Sequence, residues 1–436
     1  MPHSHHLIVR LKAACRHPFN SKKRKIYRSR AGLHAAALDP PRYFEQLKER
    51  HFERLQPLPV VNGPVDVKRV TLVTDSLSQS HLFGGVGTAI ILCALLADRL
   101  RASLRIVTRT DPSDAGVVEK VLNSNGVMFN RPVELLFAPP GGASVPVSRG
   151  DIFIPMSWWT VRSVLGAISR NQIAYILQED ERMFYPHGDD RVRCFETLSE
   201  RNFPVIVNSK LLFDHLTVAD PIPGLKTDAI WFEPANVIPR MKSISPVQEK
   251  RKLFFYARPD NPRNLFWRGL ECICDGIERG ILRRDEWEFN FVGRDIPQGL
   301  LPGGVDPIRW EGLSWDSYQS LVRTMDLGIS LMDTPHPSYP PLDLAASGAA
   351  VLTTASLGKR DLSMYSENII VVGSDLNSLR AGLKDAVRLA KDDALRFKNC
   401  QADKIERDWN KALDQAITTL CRHFSSTMAM YGPVQE

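Results

Sequence analysis

The sequence predicts an α/β protein built of two Rossmann-like, doubly wound domains facing a cleft, and three observations lead there. Short, apolar, β-branched runs alternate with amphipathic segments from residue 69 to about 209. A stretch rich in proline and charge, "PANVIPRMKSISPVQEKRK" (234–252), then interrupts the pattern. The alternation restarts at residue 253 and continues to about 391. Strands of a parallel sheet covered on both faces read as nearly unbroken apolar runs, because neither side meets water. A chain of 436 residues is long enough for two such cores.

In the first domain "RVTLVT" (69–74) opens the sheet and "GTAIILCALLADRL" (87–100) is its first helix. Further strands are "LRIVTR" (104–109), "VELLFA" (133–138), "DIFIPM" (151–156), "AYILQ" (174–178) and "VIVNS" (205–209), separated by helices or turns. In the second domain the strands are "LFFYAR" (253–258), "EFNFVG" (288–293), "DLGISL" (326–331), "AVLTT" (350–354) and "NIIVVG" (368–373). Helices are expected at about 265–280, 315–325, 341–348 and 376–391, and residues 392–425 read as helix with no strand after them. The boundaries that follow are a basic N-terminal extension (1–65), a first domain (66–240), a second domain (241–415) and a C-terminal tail (416–436).

The net charge of +7 and pI of about 9.0 suit nucleic acid, an anionic membrane face or a phosphorylated small molecule, and do not choose among them. The extension carries "HPFNSKKRKIYRSR". Its plainer reading is a solvated segment; the sharper one is a peripheral contact of residues 21–30 with anionic lipid or a partner. His3, His5 and His6 are expected to be exposed. The seven cysteines show neither a disulfide framework nor a zinc spacing. Cys272 and Cys274, two apart on a helix, point about 200° from each other, so no metal clip forms there. No run is apolar enough for a transmembrane helix and no signal-peptide pattern follows Met1, so a cytoplasmic chain is expected, peripheral to a membrane at most.

Four stretches carry candidate chemistry. "HLFGGVGTAI" offers Gly84, Gly85 and Gly87 at a helix start, where backbone amides favour anions. Its spacing is not that of the dinucleotide fingerprint, which disfavours a NAD domain. "YILQEDERMF" runs a strand into Glu179, Asp180 and Glu181. A carboxylate there could orient a hydroxyl or act as a base, with Asp180 the preferred residue and a solvated acidic turn the alternative. "YARPDNPRNLF" places Arg258 and Arg263 where a strand hands over to a helix, the position at which open α/β sheets bind ligands, and guanidiniums fork onto phosphate oxygens. "MDTPHPSYPPLDLAASGAAVLTT" (332–354) brings Ser338 and Tyr339 in a proline-rich loop. Asp343 follows, expected in the first helical turn, where it could hold a pair of hydroxyls. No Asp-x-Asp, phosphate-loop, zincin or G-x-S-x-G motif occurs, so no metal site is expected.

The strings "GGVGTA", "NSK", "FYARPDNPRNLF" and "HPSYPPLDLAASGAAVLTT", with the two-domain layout, resemble family 4 retaining glycosyltransferases of the GT-B fold. The closest likeness is to the bacterial rhamnosyltransferases of rhamnan and S-layer-glycan synthesis. The resemblance covers residues 68–420. It implies an acceptor-binding first domain, a nucleotide-sugar-binding second domain, and transfer without metal or other cofactor. The implied donor is dTDP-rhamnose and the implied acceptor a glycan or lipid-linked glycan. Arg258 matches the family's arginine on the donor diphosphate, and Arg263 lies near the basic residue that follows it. Asp343 stands where the family's second glutamate holds the ribose, one methylene shorter. Pro335 replaces the first glutamate, and Asp180 falls near the family's His-Asp position, with Gln178 and Glu179 displacing the histidine. Two alternatives stay open on the same frame: a sugar-nucleotide epimerase and a non-catalytic scaffold that binds glycan or protein. Nucleic acid is not an expected partner, since no reading helix or stacking-aromatic motif is present.

Overall fold

The computed structural model describes residues 43–65, 67–77, 85–243 and 249–429. Gly84, the basic run 21–30 and His3, His5 and His6 lie outside the described residues. The chain divides into two compact units, Met1–His51 and Phe52–Glu436. Of the first, the helix Tyr43–His51 is described; Lys48, Arg50 and His51 fill its last turn, where cations suit the negative end of the helix dipole. Residues 52–65, assigned above to the extension, belong instead to the main body. Leu58 is buried in its core, and a short strand at Val60–Asn62 pairs in parallel with Val145–Val147.

Besides that two-stranded pair, the second unit is built on parallel strands in two lobes. The N-terminal lobe has strands β1 (Lys68–Thr74), β2 (Ser103–Thr108), β3 (Val133–Phe137), β4 (Gly150–Pro155), β5 (Tyr175–Leu177), β6 (Val205–Asn208) and β7 (Ala229–Phe232). They pair in the orders β3-β2-β1-β4 and β5-β6-β7, and a parallel bridge from Phe153 to Ile173 joins the two sets. The C-terminal lobe has β8 (Arg251–Ala257), β9 (Trp287–Gly293), β10 (Ile308–Glu311), β11 (Leu327–Ile329), β12 (Ala350–Thr354) and β13 (Ile369–Val372), ordered β10-β9-β8-β11-β12-β13. In each lobe the strand order reverses beside the first strand of the sheet. That reversal opens a crevice at the strands' carboxyl ends, where ligands bind in open α/β sheets.

The central strands are buried on both faces, as their composition requires: β6 and β12 expose no residue, and Val70, Leu72, Phe254, Phe255 and Phe291 are fully enclosed. β8 and β9 approach so closely at their ends that a Cβ on Gly293 would lie 1.7 Å from the Ala257 carbonyl oxygen. Only glycine fits there.

The alternation read from the sequence marks the principal strands within two residues. It omits β7, β10 and the Val60–Asn62/Val145–Val147 pair, which are short and at least partly exposed. The C-terminal helix Trp409–Ala429 corrects another boundary, since the break placed at 415/416 falls inside it. Trp409, Leu413, Ala416, Ile417, Leu420 and Phe424 all join the core of the N-terminal lobe, packed with the helix Gly87–Arg99. After completing the second sheet, the chain returns to the first.

Candidate active site

A cavity of about 770 Å³ lies between the lobes. Its N-terminal wall comes from the ends of β4 and β5 and the segments after them: Met156, Ser157, Trp159, Gln178, Glu179, Glu181 and Phe184, with Gly85 from the glycine loop. Its C-terminal wall comes from the ends of β8 to β11, including Arg258, Arg263, Gly293, Trp315, Tyr318, His336, Ser338, Tyr339 and Asp343. The volume is that of a typical small-molecule site.

Arg258 and Arg263 both reach this cavity, in different states. Among the described residues Arg258 makes no ion pair, and its one side-chain hydrogen bond there is a long 3.5 Å donation to the Tyr256 hydroxyl. Arg263 is engaged across the cleft. It donates to Glu179 Oε2 at 2.7 Å, and its guanidinium lies 4.4 Å from the centre of the Phe184 ring. Burial pushes the Glu179 carboxyl up, and the Arg263 charge and a hydrogen bond from Thr334 oppose that rise. Lys359, which sequence reasoning missed, is fully buried beneath the same loop and donates to the Met332 carbonyl at 3.0 Å. Burial lowers its ammonium to about 8 against the attraction of Glu179 and Asp333.

Asp180 is placed differently from expectation. It is 2% exposed and does not line the cavity. Its carboxylate accepts two bonds of 2.8 Å from Arg182 and one of 3.0 Å involving His215 Nε2, and it also caps the short helix Glu181–Phe184. Burial would raise this carboxyl, but His215 and Arg182 outweigh that and hold it down to about 2. An acid so paired is a poor base. Its neighbours Glu179 and Glu181, which ranked lower in the sequence, are the ones that face the cavity. Burial raises Glu181 to about 8, although the Trp158 amide donates to it at 2.5 Å. Asp180, His215 and Asp220 also converge closely enough to suggest a metal. The Arg182 guanidinium lies 2.8 Å from Asp180 and 2.9 Å from Asp220, so an arginine supplies the positive charge at that point.

Asp343 lines the cavity but is the fifth residue of the helix Tyr339–Ser347, beyond the first turn where it was expected. Its carboxylate accepts from the Tyr318 hydroxyl at 2.9 Å and from the Asn236 amide. Burial raises it to about 7, with those two donors opposing. Ser338 stands at the N-cap of the same helix with a positive φ of 72° and no capping bond from its side chain. The Tyr339 hydroxyl is not open to ligand. It accepts from Asn208 at 2.9 Å and shares a 2.5 Å bond with Thr88, tying the C-terminal loop to the first helix of the other lobe. Gly85 lines the main cavity, and its carbonyl accepts from Gln178 at 2.6 Å. Gly87 lines only a neighbouring cavity of about 270 Å³. Trp315 and Tyr318, stacked with ring centres 5.7 Å apart, both line the cavity, and the sequence reading did not single them out. A tryptophan three residues before a tyrosine on a helix was the available signal.

Comparison with solved structures identifies the fold. Sucrose-phosphate synthase from Thermosynechococcus elongatus superposes with a TM-score of 0.56 at 12% identity, over 82% of this chain and 100% of that one. WaaG, a glycosyltransferase involved in lipopolysaccharide biosynthesis, gives 0.54 at 12% identity, over 80% and 99%. The catalytic domain of starch synthase IV from Arabidopsis thaliana gives 0.52 at 11% identity, over 83% and 100%. Together with the strand orders, these likenesses show the fold, the two-lobed GT-B arrangement. Within it, residues 69–192 match the family described as WsaF, N-terminal domain, and residues 251–384 the family described as WsaF, C-terminal domain. The chain is therefore similar to WsaF in both lobes and in the same order. The O-antigen biosynthesis protein RfbC of Myxococcus xanthus is 28% identical over 302 residues. That match covers 66% of this chain and 22% of the relative's own length. Among the described residues no helix is long and apolar enough to cross a membrane.

Proposed function

We propose that the cleft binds a nucleoside-diphosphate sugar and transfers its sugar to a hydroxyl of a growing bacterial surface glycan. Rhamnose from dTDP-rhamnose is the leading donor. Transfer proceeds with retention of configuration and without metal. The observation that carries this reading is Arg258, a guanidinium with no carboxylate partner among the described residues, presented to the cavity where β8 turns into its helix. The likeness to WsaF in both lobes and to an O-antigen biosynthesis protein supports the glycan acceptor.

As the glycosyl–phosphate bond breaks, negative charge grows on the leaving diphosphate. Arg258, and Arg263 through the guanidinium nitrogens other than the Nη1 that holds Glu179, stabilise it by preorganised electrostatics, with Gly85 facing them. The sugar develops oxocarbenium character, and the incoming hydroxyl passes its proton to the departing phosphate oxygen on the same face. This route needs no strong protein base, which agrees with a paired Asp180. Tyr318, Asp343 and Trp315 form the wall on which the nucleoside rests.

The test is thermal stabilisation against dTDP, UDP, GDP and ADP in EDTA, since a ligand of the folded state raises its melting temperature by mass action. One diphosphate is expected to stabilise the protein. Arg258→Ala should lose that shift and at least 100-fold in transfer rate, while its unliganded melting temperature stays within about 2 °C. A variant that turns over normally would overturn the assignment.

A further inference from the structure

The loop between β11 and the helix Tyr339–Ser347 holds a polar atom without a partner. His336 is 4% exposed and lines the cavity, and its Nε2, itself closed to solvent, has no hydrogen-bond partner among the described residues. Its other nitrogen fixes the proton. The Ser338 backbone N–H donates to His336 Nδ1 at 2.9 Å, and a backbone amide can only donate. Nδ1 therefore keeps its lone pair, and the ring carries its hydrogen on Nε2. A second proton on Nδ1 would face the Ser338 N–H head-on, so the backbone excludes the imidazolium. Burial and the charges of Lys359 and Arg263 act in the same direction and lower the ring to about 3.

We infer that His336 donates from Nε2, as a neutral imidazole, to a phosphate oxygen of the nucleotide, an inference that rests on the reading of the cleft as a nucleoside-diphosphate site. A buried donor left unmade is costly, and the ligand completes it. A sugar hydroxyl fits less well, because it must also donate. Glu179, the carboxylate hydrogen-bonded to this loop, has both oxygens engaged. Oε1 accepts from Thr334 and the Asp180 amide, and Oε2 accepts from Arg263. A phosphate oxygen needs donors only, and Arg258, Arg263 and His336 all face the cavity. His336 thus adds a hydrogen bond without adding a titratable charge, and it does not act as an acid on the leaving group.

Two substitutions separate the roles of the two ring nitrogens. In His336→Asn the side-chain oxygen can replace Nδ1 as acceptor for Ser338, but nothing replaces Nε2; in His336→Gln the amide reaches the Nε2 position. The probes, titrated calorimetrically in EDTA, are dTDP, UDP, GDP and ADP with the matching nucleosides. The diphosphate that binds the wild type should bind His336→Asn about tenfold to a hundredfold more weakly. Its nucleoside should bind both equally, and His336→Gln should recover most of the loss. Equal diphosphate affinity in wild type and His336→Asn overturns the inference. So does parallel loss of nucleoside and diphosphate, which would mark a structural role, or a loss seen only with the intact nucleotide sugar, which would move the contact to the sugar. If no diphosphate binds the wild type, the nucleotide reading itself fails and takes the inference with it. Nitrogen-15 NMR of the wild type gives a test independent of the variants. The Nε2-protonated tautomer should persist from pH 8 to 5 and its Nε2–H resonance should shift on adding diphosphate; an unmoved resonance refutes the contact.

Discussion

Asp180 shows how much a residue's role depends on its partners. At the end of a strand, in a run of three acids, it looked like the carboxylate most able to serve as a base. Folding instead gives it two bonds from Arg182 and one from His215, and it becomes a structural charge. Asp180→Asn should lower stability by about 3–5 kcal/mol by leaving buried Arg182 short of a counter-charge. The turnover number per folded molecule should stay within a few-fold of wild type. Unfolding in urea and single-turnover assays read the two effects separately, and a 1000-fold loss of turnover with normal stability would restore the base assignment. That both arginines would line the cavity was legible, because strand ends of an open α/β sheet meet there. His336 and Lys359 were not, because their meaning lies in what surrounds them: a backbone amide on Nδ1 in one case, complete burial beside two carboxylates in the other.

Among the elements, the helix Trp409–Ala429 carries the clearest consequence. It is distant in sequence from the N-terminal lobe, yet one face of it completes that lobe's core, and the Trp409 indole donates to Asn125 at 3.1 Å. Leu420, fully buried there, should cost about 2–5 kcal/mol when cut to alanine, by lost transfer energy and residual cavity. Urea unfolding checks the value, and a loss below 0.5 kcal/mol would show that the helix does not pack as described. The alternation of apolar runs made the strands legible, because burial on both faces leaves a local mark. The destination of a terminal helix leaves none. Its apolar stripe says that something covers it, without saying which lobe.

For the whole molecule, buried acids set the response to pH. Glu181, raised to about 8, and Asp343, raised to about 7, hold protons in the folded state that the unfolded chain releases in the ordinary carboxylate range. Their contribution is complete below that range and is lost as pH rises through about 7 to 8. Asp180, held down to about 2, works in the opposite sense. Its contribution is present above the ordinary carboxylate range and is lost as pH falls toward 2. The melting temperature is therefore expected to fall between pH 5.5 and 8.5, and Glu181→Gln, which keeps an acceptor for the Trp158 amide, should flatten that fall. An unchanged slope in the variant would remove Glu181 as its source.

The sequence by itself determined the two doubly wound sheets and the placing of two arginines where the first strand of the second sheet ends, because those follow from local periodicity and from the residue types themselves. Only the tertiary structure decided which acids face the cleft, that Arg263 is held by Glu179 from the other lobe, and that Tyr339 bonds Thr88 and Asn208 across it. These pairs are separated by 84, 251 and 131 positions in the chain. Their chemistry exists only where folding brings the partners within hydrogen-bonding distance and withdraws the water that would otherwise satisfy each of them.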